Sequence, residues 1–183
     1  MIPRELGLSF QIDTNRINSR SKLPAMNRLE DFRKKGLIEI LLSAPAQHEA
    51  LANREPGRVA KAYSYIFSLD TFRGPEEIAK EEEIEQILFP GGARATSEHN
   101  DVRIVAHALK YHCILITADG GSKRQLGGIL GHREELRQRV GVRVLTDEEA
   151  VSLVERRIQS RDEAARKSAF VTGERVPEWV GRD

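Results

Sequence analysis

The sequence predicts an α/β fold, a three-layer α/β/α sandwich around a central parallel sheet. Three observations predict it. Short apolar runs recur at residues 6–12, 37–42, 113–116 and 142–145. Between them lie longer stretches whose apolar residues recur every three or four positions. Strands alternating with helices in this way imply parallel strands joined by helical crossovers. Finally, the runs end in residues that favour turns and helix starts, several of them acidic, and open parallel sheets bind ligands along that carboxyl edge.

Taken in order, Leu6, Leu8, Phe10 and Ile12 alternate as a first strand and lead into Asp13-Thr14-Asn15. Pro24 suits the first position of a helix, where its missing N–H costs nothing. Leu23, Met26, Leu29 and Phe32 give that helix an apolar stripe, and Gly36 ends it. LIEILL, residues 37–42, reads as a strand buried on both faces. A helix follows from Pro45, with Glu49 within about its first turn and a half. After the breaker NREPG at 53–57, Val59, Ala62, Tyr63, Ile66 and Phe67 predict an amphipathic helix over 58–69. Residues 76–88 predict an acidic helix, and FPGGARAT, residues 89–96, a loop. Asn100 is read as the N-cap of the next helix, whose Val102, Val105, Ala106 and Leu109 share one face. The strand at 113–116 and a glycine-rich segment through Gly131 follow. A short helix at 133–139 and a last strand at 142–145 come next. Thr146 and Glu149 form a capping box for the final helix. That helix turns polar after Ile158, and the tail beyond Thr172 reads as loosely held, with Val176, Trp179 and Val180 available to dock.

With 183 residues the chain suits one domain with a real core. We expect that domain over 1–160, with 54–96 as a helical insertion or lid because no strand is evident there. Residues 161–183 form a C-terminal extension, and a homo-oligomer, a dimer, is expected. Hydrophobic residues make up 39% and charged residues 31%, with a net charge of +1. That balance excludes a disordered chain and a protein that coats nucleic acid, but not a nuclease. The single cysteine, Cys113, excludes an internal disulfide. No apolar run approaches the ~18 residues needed to cross a bilayer. With no secretory-type leader at the start, the expected location is cytoplasmic.

Asp13, Glu49, Asp101 and Asp119 all fall near strand ends or helix starts, each fixed by an apolar neighbour. Carboxylates brought to one edge repel one another, and a hard divalent cation is the usual reason to tolerate that. Oxygen-only donors point to Mg²⁺ or Mn²⁺ rather than zinc. Such a site suits phosphodiester hydrolysis, with a carboxylate to orient or deprotonate the attacking water. Among 28 acidic residues some reach strand ends by chance, so the other reading is that Asp13 and Asp101 are helix caps while Glu49 and Asp119 are solvated.

The residues Phe10-Gln11-Ile12-Asp13-Thr14-Asn15, Glu49, Asn100-Asp101 before an apolar helix, and Ile116-Thr117-Ala118-Asp119 together resemble the PIN-domain family. The match runs over most of 6–158 in the family's order. The resemblance implies a PIN-like sandwich and a Mg²⁺- or Mn²⁺-dependent endoribonuclease acting on RNA. Many members are toxins of toxin–antitoxin pairs, so an antitoxin protein becomes an expected partner. It also implies that Asp13, Glu49, Asp101 and Asp119 are the catalytic and metal-binding quartet, supported by Thr14, Asn15 and Thr117. The chain departs from the family after Asp119, where Gly120-Gly121-Ser122-Lys123 replaces the usual approach to an aromatic residue, and it is longer than the compact toxins. Glu98 rivals Asp101 as a ligand, and Asp70 rivals Glu49. Lys123 and Arg124 are candidate contacts to an RNA backbone.

Two alternatives remain open: a non-catalytic PIN-like module that binds RNA or protein, and another Mg²⁺-dependent phosphohydrolase. The dehalogenase-type phosphatases need Asp-x-Asp at the first strand, and here the third position is Asn15. His48-Glu49 lacks the second histidine of a zinc-protease helix, the fifth position being Ala52. Gly121-Ser122-Lys123 is not a P-loop, and the glycines at 127–131 read as a flexible connection. Cys113 reads as core, and His99, His107 and His112 as surface or packing residues, of which His99, beside Asp101, is the one near enough to meet substrate. Tyr63, Tyr65 and Phe67 read as core and subunit contacts.

Overall fold

The computed structural model describes residues 2–52, 55–68, 74–121 and 125–183. Five strands form one sheet among these residues, all parallel: β1 (Leu8–Ile12), β2 (Ile38–Ser43), β3 (Ile66–Ser68), β4 (Ile114–Ile116) and β5 (Val144–Leu145). Their order is β3-β2-β1-β4-β5. The chain therefore steps outward from β1 through β2 to β3, then returns to the other side of β1 for β4 and β5. Helices flank the sheet, so the expected α/β/α sandwich is the observed fold. The reversal of winding falls between β1 and β4, and their carboxyl ends diverge there into a crevice.

The core explains why these runs became strands. Phe10, Ile12, Ile40, Leu42, Leu115 and Ile116 are fully buried, so the central strands carry apolar side chains on both faces. In α1 (Pro24–Lys34), Met26, Leu29 and Phe32 are fully enclosed. Burying each of them contributes about 1.5–3 kcal/mol. Gly36 follows α1 at φ +70°, the left-handed geometry that glycine adopts without strain. Gln11, buried in the middle of β1, donates from Nε2 to the Ile104 carbonyl at 2.7 Å. That bond fixes α5 (Thr96–Lys110) over the sheet.

Three expectations are corrected. The helix expected over 58–69 ends at Tyr63 as α3 (Pro56–Tyr63), and Ile66–Ser68 pairs with β2 as the edge strand β3. The segment 54–96 is thus helical only in part and contributes a strand to the sheet, with α4 (Pro75–Leu88) as its second helix. Asn100 is not an N-cap. The helix α5 starts four residues earlier, where the Glu98 carboxylate accepts the N–H groups of Arg94 at 2.6 Å and Ala95 at 3.1 Å. The glycine-rich segment is not a loose connection either: it contains a short helix, α6 (Gly128–Gly131), with Ile129 fully buried, before α7 (Arg133–Arg139).

The last helix, α8 (Asp147–Thr172), starts with the expected capping box, Thr146 Oγ1 accepting from Glu149 N and Glu149 Oε2 from Thr146 N. It runs unbroken across position 160, where an extension was expected to begin. Its polar second half is anchored rather than projecting. Arg161 is buried between Asp162 and Asp183, bonds the Arg4 carbonyl, and stacks under Trp179 at 4.3 Å. The tail is therefore folded back on α8, although Phe170 and Val171 near its end stay exposed. No helix among the described residues is long and apolar enough to cross a membrane.

Candidate active site at the carboxyl edge of the sheet

An open cleft of about 720 Å³ lies over the β1/β4 crevice, and Asp13, Glu49, Asp101 and Asp119 all line it together with Thr14 and Asn15. Four acids spread over more than a hundred residues of sequence meet there because each hangs from a different element. Asp13 follows β1 directly, and Asp119 lies three residues past β4. Glu49 belongs to α2 (Ala44–Ala52), which begins as β2 ends, and Asp101 to the second turn of α5.

Three of the four are held by hydrogen bonds. Asp13 is buried; its Oδ1 accepts from Thr14 N at 2.5 Å, and its Oδ2 from Thr117 Oγ1 at 2.6 Å and Asn15 Nδ2 at 2.7 Å. Thr117 Oγ1 also accepts from Asp119 N at 2.9 Å, so one hydroxyl joins the loops after β1 and β4. Glu49 accepts from Thr14 Oγ1 at 2.6 Å and from Asn100 Nδ2 at 2.7 Å. Asp119 is cradled by backbone: Oδ1 accepts from Gly121 N at 3.1 Å and Oδ2 from Ile129 N at 2.8 Å. That cradle explains the glycines. At Gly128, with φ +56°, an added Cβ would lie 2.3 Å from Asp119 Oδ2 and 2.4 Å from Gly121 N.

Asp101 differs from the other three. Among the described residues it accepts no hydrogen bond and forms no ion pair. Burial pushes its carboxyl up to about 8, and the negative charges of Asp13, Asp119, Glu49 and Glu98 add to that rise. Burial also raises Asp13. Its bonds from Thr117 and Thr14 oppose the shift, and Glu49 and Asp119 reinforce it. The cleft is thus a site of like-charge repulsion that the fold maintains through Thr14, Asn15 and Thr117.

The donors are oxygens only, they repel one another, and one carries no partner among the described residues. That chemistry fits a hard divalent cation. In their present placement, no three His, Cys, Asp or Glu side chains among the described residues are grouped so as to hold a metal ion. The fit therefore lies in the donor set and its charge, not in a preformed cage.

Of the rivals, Glu98 is occupied by the start of α5, and Asp70 lies outside the described residues. Lys123 and Arg124 lie outside them as well. His99 lines a separate groove with Ile78, Glu82 and Arg103. His107 is buried and bonds Ser68 Oγ through Nδ1 at 3.0 Å, which ties α5 to β3. Cys113 is buried, and burial raises its thiol to about 11, so it has little thiolate character. Tyr65 is core, bonded to Glu30, whereas Tyr63 is exposed.

Sequence reasoning missed two polar residues that bond the cleft's acids or their supports. Asn100, which the sequence presents as a cap, orients Glu49 through its amide. Arg58 lines the cleft as a cation and donates from Nη2 to the Thr14 carbonyl at 2.7 Å. Nothing in the spacing of residues 53–63 marks Arg58 out, because it reaches the cleft only through the packing of α3 beside α2.

No family model matches the chain, and no curated protein matches it. Among solved structures it is similar to VapBC2 from Rickettsia felis, determined bound to a DNA fragment from their promoter. The likeness has a TM-score of 0.49 and 14% identity, and covers 76% of this chain and 98% of that one. So distant a likeness carries no inference about activity.

Proposed function

We propose that this chain is a PIN-type, metal-dependent endoribonuclease that hydrolyses RNA phosphodiester bonds in the four-acid cleft. The observation that supports this reading most is the convergence of Asp13, Glu49, Asp101 and Asp119, from four separate elements, on one open cleft at the sheet's switch point. Three of them arrive already oriented by Thr14, Asn15, Thr117 and backbone amides.

Asp13, Asp101 and Asp119 are the residues that would hold Mg²⁺ or Mn²⁺. Such an ion supplies Lewis-acid activation of the phosphodiester and of water. Glu49, fixed by Thr14 and Asn100, is placed to accept a proton from the attacking water or to assist a second ion. Thr117 and Asn15 keep Asp13 aimed into the cleft, and Thr117 couples it to Asp119. The openness of the cleft suits a polymer strand rather than an enclosed small molecule. The same reading makes a toxin role with an antitoxin partner the first physiological hypothesis, which co-purification with the product of the adjacent gene would test.

The test is cleavage of single-stranded RNA with Mn²⁺, Mg²⁺ or EDTA, with small phosphomonoesters assayed beside it. We expect metal-dependent RNA cleavage abolished by EDTA. Hydrolysis of phosphomonoesters alone would support the phosphohydrolase alternative. RNA binding without cleavage in any metal would support the non-catalytic module.

A further inference from the structure

We propose that Arg58 is the phosphate-binding residue of the acidic cleft, taking an RNA phosphate oxygen beside the four acids; this rests on the nuclease reading above. Among the described residues that line the cleft, Arg58 is the cation and four are carboxylates. Yet it pairs with none of them. Among the described residues its one hydrogen bond is from Nη2 to the Thr14 carbonyl, and its Nε is buried without an acceptor. A guanidinium presents five donors in a planar fork suited to bidentate capture of phosphate oxygens. Here the bond to Thr14 fixes that fork while leaving donors unmet.

The position matters as much as the free donors. Thr14 also holds Asp13 through its N–H and Glu49 through its hydroxyl. Arg58 is therefore tied to the same short turn that sets two of the acids, so a phosphate bound to it is held in register with them. An RNA strand entering a cleft of four carboxylates meets repulsion that one bound cation offsets only in part. A guanidinium at the rim supplies attraction independent of the metal.

The test is equilibrium binding of a fluorescently labelled single-stranded RNA to the full chain, with Ca²⁺ in place of Mn²⁺ to prevent turnover, over a salt series. In Arg58→Gln we expect affinity to fall about tenfold or more. We also expect the slope of log K against log[salt] to shrink by about 0.7, the value of one lost phosphate contact on a single strand. Arg58→Lys should keep the slope and lose affinity several-fold, because a point charge replaces a fork. A role confined to bracing Thr14 would leave the slope unchanged while affinity drops, and that result overturns the proposal. So does wild-type affinity in Arg58→Gln or, should that variant fail to fold, in Arg58→Lys. If the wild-type protein binds and cleaves RNA while these variants match it, Arg58 alone is refuted. Absence of RNA binding by the wild type refutes the nuclease reading with it.

Discussion

Replacing Asp101 with asparagine should stabilise the metal-free protein at high pH. The carboxyl of Asp101 is raised from 3.8 to about 8 by burial and by the charges of Asp13, Asp119 and Glu49. In the unfolded chain it titrates near 3.9. The folded state therefore binds this proton more tightly, and stability falls as pH rises between those values. The penalty is absent below about pH 4, grows with pH, and is complete above about pH 8. At about 1.4 kcal/mol per pK step its ceiling is about 6 kcal/mol. Screening by water in an open cleft reduces that to roughly 2–3 kcal/mol. Asparagine keeps the shape and cannot ionise. Urea unfolding in EDTA at several pH values measures the difference directly: Asp101→Asn should exceed the wild type by that amount at pH 8.5 and match it near pH 4. Added Mn²⁺ should close that gap, because the wild type would gain about 2.7 kcal/mol at a hundredfold excess over its Kd. A variant less stable than the wild type at pH 8.5 in EDTA, or a gap that does not change with pH, would refute the reasoning.

The supports of the cleft give further tests. Thr117→Val removes the hydroxyl shared by Asp13 and Asp119 N, and should cost about 1–3 kcal/mol in urea unfolding. It should also weaken Mn²⁺ binding by calorimetry about 10–100-fold. Gly128→Ala forces a Cβ against Asp119 Oδ2 at φ +56°. It should cost about 1–3 kcal/mol in stability and reduce cleavage further than stability alone explains, whereas Gly141→Ala, with open space around it, should cost only the left-handed strain of about 1 kcal/mol. At the far end of the molecule, Asp183 is an enclosed carboxylate. Burial pushes its pKa up, but the bonds from Arg4 and Arg161 hold it below the usual range. Asp183→Asn should lower stability by about 1–3 kcal/mol at pH 7, and the loss should shrink to nothing as pH falls through the carboxylate range.

The sequence was most legible where one signal dominated. The strands β1, β2, β4 and β5 are apolar runs bounded by turn residues, and α1 starts at Pro24 and is followed by Gly36 as expected. The strand β3 was illegible because Ile66 and Phe67 continue the helical spacing of Val59, Ala62 and Tyr63. Only the open edge of β2 decides that they extend instead. The start of α5 is hard to read because Asn100 has the chemistry of a cap, while Glu98, which does the capping, has the chemistry of a metal ligand. The four acids could be read as a set because each follows a scaffold element. What could not be read is how they are held. The Asp119 cradle depends on left-handed backbone at Gly121 and Gly128, which composition alone leaves looking like a flexible linker. Arg58 enters the cleft through tertiary structure alone.

The central claim is that the four-acid cleft cleaves RNA with a bound divalent ion, and single-site variants test it most directly. Cleavage of single-stranded RNA in saturating Mn²⁺ should be lost in both Asp13→Asn and Asp119→Asn, with far-UV circular dichroism unchanged from the wild type. Full cleavage by both folded variants would contradict the account.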